Sequence, residues 1–414
     1  MHAVIVGGGV IGLATAYQLA RDGASVTVLD ARKTGLGASA VNAGWVVPAH
    51  GAPVAGPGVV ATSLKWMLRP DSPLFIRPSL RPSFMTFMYG MFRASNERDQ
   101  RAGFAATLAL AEGSIETFDD YRADGISFEM HNDGLLMAFT EQQNYHEALR
   151  YIDLLERYGL EPTRLEGSAA QEYEPLLSDA VGNAIAFPRE RHLVPSELAD
   201  GLHRRLEDMG VEILEDSPLE EVSLRNGNVH AVRAGAQRVE GDRFILAAGA
   251  WTGPLSRMFG HPLPVRPGKG YSVDVDPFPL RAATSLMDAH VAVTPFDSAL
   301  RVAGTMEFGG LDEKTRRVRV DAIMRAPRTY FRDWNPPVAP ITARAGMRPM
   351  TPDGLPIIGR IPGLGNAYVS SGHAMLGVTL APGTATELSK LVLHDQSSPL
   401  LEPFSPARFR RGQA

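Results

Sequence analysis

The sequence predicts an α/β protein: a Rossmann-like nucleotide-binding domain, discontinuous along the chain, into which an α+β domain built on an antiparallel sheet is inserted. Three observations predict it. A strand–helix–strand unit with a glycine-rich turn opens the chain, α/β patterning returns near residue 190 and again near 340, and the stretches between are helix-rich at 99–158 and strand-rich at 265–305. The expected division is 1–45, 190–262 and 342–414 for the nucleotide-binding domain, with 46–189 and 263–341 forming the inserted domain.

The opening unit is MHAVIVGGGVIGLATAYQLARDGASVTVLD. Ala3–Val6 is a short β-prone run, Ile11–Ala20 has apolar residues at helical spacing with Gly23 as a stop, and Ser25–Leu29 reads as a second strand. Gly7, Gly9 and Gly12 form G-x-G-x-x-G: the first allows the tight turn, the second lets a pyrophosphate reach the backbone, the third lets helix and strand pack closely. The helix start then offers free N–H groups and a positive dipole end to phosphates. Asp30 closes the second strand where an acid accepts from a ribose 2′-OH and disfavours a 2′-phosphate. FAD and NAD both fit this fingerprint.

Residues 34–58 are rich in Gly, Ala and Pro and read as a long functional loop. FMTFMYGMF (84–92) is a helix, either buried in the inserted domain or lying on a membrane or partner. Residues 99–123 and 141–158 read as helices, with a strand-like pair between them around Asn132-Asp133-Gly134. VPSELADGLHRRLEDMG is a helix with Ser196 as candidate N-cap and Gly210 as its stop. VEILED, a hairpin around Asn226-Gly227 and RFILAAGAW follow as strands, 314–333 looks helical, and the last third is a loop pair leading into a helix.

Composition narrows the function. The hydrophobic content of 44% supplies a substantial core, and a net charge of -5 without a basic stripe argues against nucleic acid. RFRRG near the C-terminus reads as a solvated end. With no cysteine, disulfides, thiolate metal sites and cysteine nucleophiles are excluded. No H-E-x-x-H or carboxylate cluster argues for a metal. A first strand at residue 3 leaves no room for a cleavable leader, and the apolar stretches are too short or too polar to span a membrane, so cytoplasmic residence is expected.

Five motifs, in order, carry a family resemblance: Gly7-x-Gly9-x-x-Gly12 with Asp30; Ala38-Ser39-x-x-Asn42-Ala43-Gly44; Leu246-Ala247-Ala248-Gly249-Ala250-Trp251; Arg348-Pro349-x-Thr351-Pro352-Asp353-Gly354; and Gly372-His373-x-x-x-Gly377-x-Thr379-x-Ala381-Pro382. Together, over essentially the whole chain, they resemble the FAD-dependent D-amino acid oxidase superfamily, which also holds glycine and sarcosine oxidases. VNAGWVVPAHGAPVAGPG, SLKWMLRPDSPL and Lys269-Gly270-Tyr271-Ser272 are most similar to its bacterial D-amino acid dehydrogenase branch.

The resemblance implies FAD, non-covalent because no cysteine is available for a cysteinyl linkage. It implies contacts from Gly7, Gly9, Val10, Ile11, Gly12, Asp30 and Ala31. Ser39, Asn42, Ala43 and Gly44 are implied at the pyrophosphate and flavin edge, Val222 at adenine through its backbone, and Ala248, Gly249 and Trp251 at a second dinucleotide contact. Gly346, Gly372, His373, Met375, Leu376, Gly377, Val378 and Thr379 are implied beside the flavin. Arg348, in the G-x-R-P context of the family's carboxylate-binding arginine, offers a planar fork of donors. Tyr271 is placed to bond the same carboxylate or to be a half-buried strand tyrosine. His50 and His373 are candidates for lining the active site, while Arg301 and Lys269 read equally as strand-edge charges.

The implied reaction is oxidation of a (D-)amino acid, hydride passing from Cα to flavin N5, with the imino acid hydrolysed to a 2-oxo acid and ammonia and the electrons going on to a quinone or other carrier. No dedicated base is needed if the amine is neutral. If a quinone is the acceptor, 84–92, with Phe87 and Phe92, is the candidate membrane contact and the enzyme is peripheral at the inner membrane face. A glycine-, sarcosine- or proline-type amine oxidase using O2, and a flavoprotein subunit of a heteromeric dehydrogenase, stay open. An NAD-dependent dehydrogenase leaves the later motifs unexplained.

Overall fold

The computed structural model describes residues 1–56, 72–335 and 343–409; most of SLKWMLRPDSPL and the end of RFRRG lie outside the described residues. The first sheet runs Glu212–Leu214, Ser25–Leu29, His2–Val6, Arg243–Leu246, Ala367–Ser371, Ile357–Arg360. All its pairings are parallel except the last. The opening strand is therefore central, and its unbroken apolar run follows from burial on both faces. Helix Val10–Arg21 packs beside Pro195–Asp208 and Gly377–His394 on one face. Gly23 ends the return at φ +90°.

Asn226 and Gly227, at φ +50° and +75°, turn Leu219–Arg225 into Asn228–Ala234, and Gln237–Glu240 completes a three-stranded antiparallel sheet. Ser196 does not cap its helix. Pro195 takes the first helical position, where its missing N–H costs nothing, and Val194 precedes it without a side-chain cap.

The second sheet runs Ala343–Met350, Arg266–Val275, Leu300–Phe308, Val291–Pro295, Ala283–Leu286, Leu135–Phe139, Asn183–Phe187, Thr163–Glu166, with Leu74–Ile76 also paired to Leu300–Phe308. It is antiparallel except where Ala283–Leu286 meets Leu135–Phe139 and Leu74–Ile76 meets Leu300–Phe308. Strand Ala343–Met350, expected within the nucleotide-binding part from residue 342, belongs to this sheet, held by its continuous register against Arg266–Val275. The strands flanking Asn132-Asp133-Gly134 do not pair with each other. Leu135–Phe139 enters the large sheet, whereas Met130–His131 joins Arg191–Leu193 and Trp45–Val46 in a small sheet that ties the 42–47 loop to both halves of the molecule.

Candidate active site

The glycine turn has no room for side chains. A Cβ at Gly7, whose φ is +116°, would lie 2.4 Å from the Ala247 carbonyl oxygen, and one at Gly12 would lie 1.8 Å from that of Gly7. Gly9 caps helix Val10–Arg21 without a side chain, the first turn holds no acid, and Ile11 is only half-buried there. The start of the helix thus offers N–H donors and positive potential to an anion. Ser39 Oγ, 2.9 Å from Val10 N, accepts one of those donors.

Asp30 shapes the same turn. Its Oδ2 accepts Gly8 N–H at 2.7 Å and its Oδ1 accepts Arg32 N–H at 2.8 Å, while burial pushes its carboxyl upward. A carboxylate has acceptor sites beyond these two, so a ribose hydroxyl is not displaced by them. Ala31 follows on the exposed side, and the Arg32 guanidinium lies 5.1 Å from the Trp251 ring. The Asp30 carbonyl accepts Ser217 N–H, which binds the segment leading to Val222 to the turn. Val222 pairs with Val232 in the three-stranded sheet.

Asn42 uses its side chain to shape its own loop: Oδ1 accepts Gly44 N–H, and Nδ2 donates to the Ser39 and Ala38 carbonyls. The Ala43 carbonyl accepts Thr294 Oγ1–H. Gly44, at φ +77°, lets the chain pass Leu193, whose carbonyl oxygen a Cβ would approach to 2.1 Å. Arg301 is fully engaged, with both Asp274 oxygens and the Asn42 carbonyl, so it fixes this loop from beneath.

The late loops close the other side. Ala247 N–H donates to Val6, Ala248 leads into the turn at Gly249–Trp251, and Thr252 Oγ1 reaches Ser371 Oγ, which donates to the Gly249 carbonyl. Helix Gly377–His394 starts at Leu376 with no side-chain cap and no acid in its first turn. A Cβ on Gly377 would stand 3.9 Å from Val10 Cγ1, so two open helix starts meet at one place. Thr379 Oγ1 donates to the Trp45 carbonyl and accepts Val47 N–H, Met375 is exposed, and Val378 is buried in the core. Gly372 sits at φ +80° against Thr351. His373 faces inward: Nε2 is 3.1 Å from Thr384 Oγ1, and burial drives its pKa down to about 3, so the ring under the loop is neutral.

Arg348 lies beside this cradle. Gly346 on the same strand abuts Ala38 and Val41, and Ala374 N–H donates to the Pro349 carbonyl at 3.1 Å. Its half-buried guanidinium lies over Gly270, with Nη1 donating to the Thr305 carbonyl at 2.5 Å. No carboxylate among the described residues pairs with it, and burial alone lowers its pKa to about 10, so it is charged at neutral pH. A half-buried cation without a counter-ion favours the arrival of an anion.

Tyr271 is not its partner. Register sets Gly268 opposite Arg348 and Gly270 opposite Gly346, so Lys269 and Tyr271 point to the other face of the sheet. There Tyr271 Oη donates to Glu307 Oε2 at 2.9 Å, and burial, helped by that acid, pushes the phenol up. Glu307 is buried among Lys269, Arg316 and Arg319, and Lys269 Nζ also donates to the Lys314 carbonyl. His50 stands edge-on to Trp45, ring centroids 5.7 Å apart, and the Trp45 carbonyl accepts Thr379 Oγ1–H. His50 Nε2 lies 3.2 Å from Ser285 Oγ, and the Ser285 strand is two strands beyond that of Thr305, roughly 10 Å. Burial lowers its pKa.

Sequence reasoning missed Gly268 and Gly270. Two glycines at period two in a strand mark a face over which another group passes, and that signal was present in PGKGYS.

The cradle fits FAD: bare turns where side chains would collide and two acid-free helix starts suit a pyrophosphate, and the chain has no cysteine to tether a flavin. Fold and cradle together define the class as flavoprotein oxidoreductases. The chain belongs to the DAO family of FAD-dependent oxidoreductases, whose model matches residues 2–391. It is similar in fold to glycine oxidase from Geobacillus kaustophilus (21% identity, 99% of this chain and 98% of that one, TM-score 0.80). Similar too are L-proline dehydrogenase from P. horikoshii (19%, 99% and 98%, 0.75) and L-amino acid deaminase from Proteus myxofaciens (15%, 99% and 93%, 0.72). No helix among the described residues is long and apolar enough to cross a membrane.

Proposed function

We propose that the enzyme oxidises a free amino acid, with the D-enantiomer as the expected substrate, and that Arg348 holds its carboxylate. The observation that carries this reading is the half-buried guanidinium with no acid beside it, next to the cradle. Gly7, Gly9, Gly12, Val10 and the start of helix Gly377–His394 are the proposed hold on the FAD pyrophosphate and flavin. When bound, FAD supplies the two-electron acceptor that converts the amine to an imine, and water releases the 2-oxo acid and ammonia. The chain orients the substrate through Arg348, and no group beside the guanidinium is assigned as a base. Replacing Arg348 by Ala tests it: KM should rise more than tenfold while FAD stays bound, and unchanged kinetics would refute the assignment.

We further propose that the electrons leave to a lipid-soluble carrier such as a quinone. Helix Pro82–Ala94 supports this with an exposed row, Met85, Tyr89 and Phe92, following exposed Leu80. Residues 72–96 carry Arg77, Arg81 and Arg93 and no acid, a balance suited to an anionic membrane surface. Phe87, expected in that patch, is instead buried against Phe308 at 6.0 Å and belongs to the interior face.

A further inference from the structure

We infer that the substrate carries a sizeable apolar side chain, selected by a thioether wall beside Arg348; this rests on Arg348 holding the substrate carboxylate. The wall stands on the guanidinium face of the large sheet. Met350 is two residues along the strand from Arg348, and Met306 and Phe308 alternate on Leu300–Phe308, the strand beyond Arg266–Val275, paired with Leu74 and Ile76. Met306 Sδ lies 3.8 Å from Arg348 Nη1. A Cβ on Gly268 would come within 2.5 Å of Met306 Sδ and 2.6 Å of Met350 Cγ, so both side chains converge over that bare position next to the cation. From the other side, helix Pro82–Ala94 brings down Phe87, Met88 and Met91 to close one apolar cluster.

Any carboxylate bonded to the guanidinium therefore has its α-carbon within reach of Met306 and Met350. Methionine is unbranched and polarizable, so such a wall adapts to aliphatic, thioether or aromatic groups and offers nothing to a charged one. Glycine would leave it untouched. The other cations on this face are already engaged: Arg344, opposite Ser272, pairs with Asp274, and Arg266 stacks on Phe84 and Phe87 and bonds Ser83 Oγ.

The test is anaerobic flavin reduction by the purified holoenzyme with glycine, sarcosine and both enantiomers of alanine, methionine, leucine, phenylalanine, aspartate and lysine. The reactive enantiomers of methionine, leucine or phenylalanine should exceed glycine and aspartate at least tenfold in kcat/KM. Equal or better turnover of glycine or aspartate overturns the wall while leaving amino-acid oxidation intact. Reduction by none of them overturns both. Met306→Ser should cut the methionine-to-glycine ratio at least tenfold with FAD retained, and Met306→Leu should keep it. A loss of equal size for all substrates would assign Met306 a packing role and refute the inference.

Discussion

The Arg348 guanidinium occupies the space that a side chain on Gly270 would fill: a Cβ there would lie 2.4 Å from Arg348 Cζ. What it would meet is the mobile end of a long side chain, not backbone. Gly270→Ala is therefore expected to fold and keep its flavin, yet to displace the guanidinium and raise KM at least tenfold. Steady-state kinetics beside the flavin spectrum check both halves.

Gly12 is the opposite case. Its Cβ would press on the Gly7 carbonyl oxygen at 1.8 Å, and backbone cannot step aside. Gly12→Ala should yield protein that binds no FAD on reconstitution and melts lower than wild type.

Glu190 carries a pH dependence. It is buried, Oε1 accepts Ala49 N–H at 2.9 Å, Oε2 has no partner among the described residues, and burial raises its pKa to about 8. The folded chain holds this proton where the unfolded chain has released it. Its contribution to stability is thus full below the ordinary carboxylate range and is lost as pH climbs towards about 8, by at most about 1.4 kcal/mol per pH unit. Melting temperature followed from pH 5 to 9 should fall more steeply for wild type than for Glu190→Gln.

The two faces of helix Pro82–Ala94 separate membrane contact from packing. Phe92→Ser with Tyr89→Ser should weaken binding to anionic vesicles and change stability little. Phe87→Ala should cost about 3–5 kcal/mol in denaturant unfolding, because it empties a filled site against Phe308. Equal vesicle binding by wild type and the surface variant would remove the membrane reading.

The opening turn was legible because its constraint is local: Gly7, Gly9 and Gly12 answer to atoms a few residues away or on the adjoining strand. The Gly-Met-Arg-Pro context singles out Arg348 in the sequence, but that no carboxylate among the described residues pairs with it is visible only in the fold. Tyr271 was misread because the face of a strand residue depends on register with its neighbours, and the shift between Lys269 and Tyr271 against Leu300–Phe308 cannot be seen in one strand alone. Phe87 and Phe92 look alike in FMTFMYGMF, and only the helix's seating on Phe308 tells inside from outside.

Positions 268 and 270 form a floor defined by missing carbon. A single methyl added from below would shift either the cation or the thioethers above it, so substrate recognition can be retuned by a change that leaves every surface residue untouched.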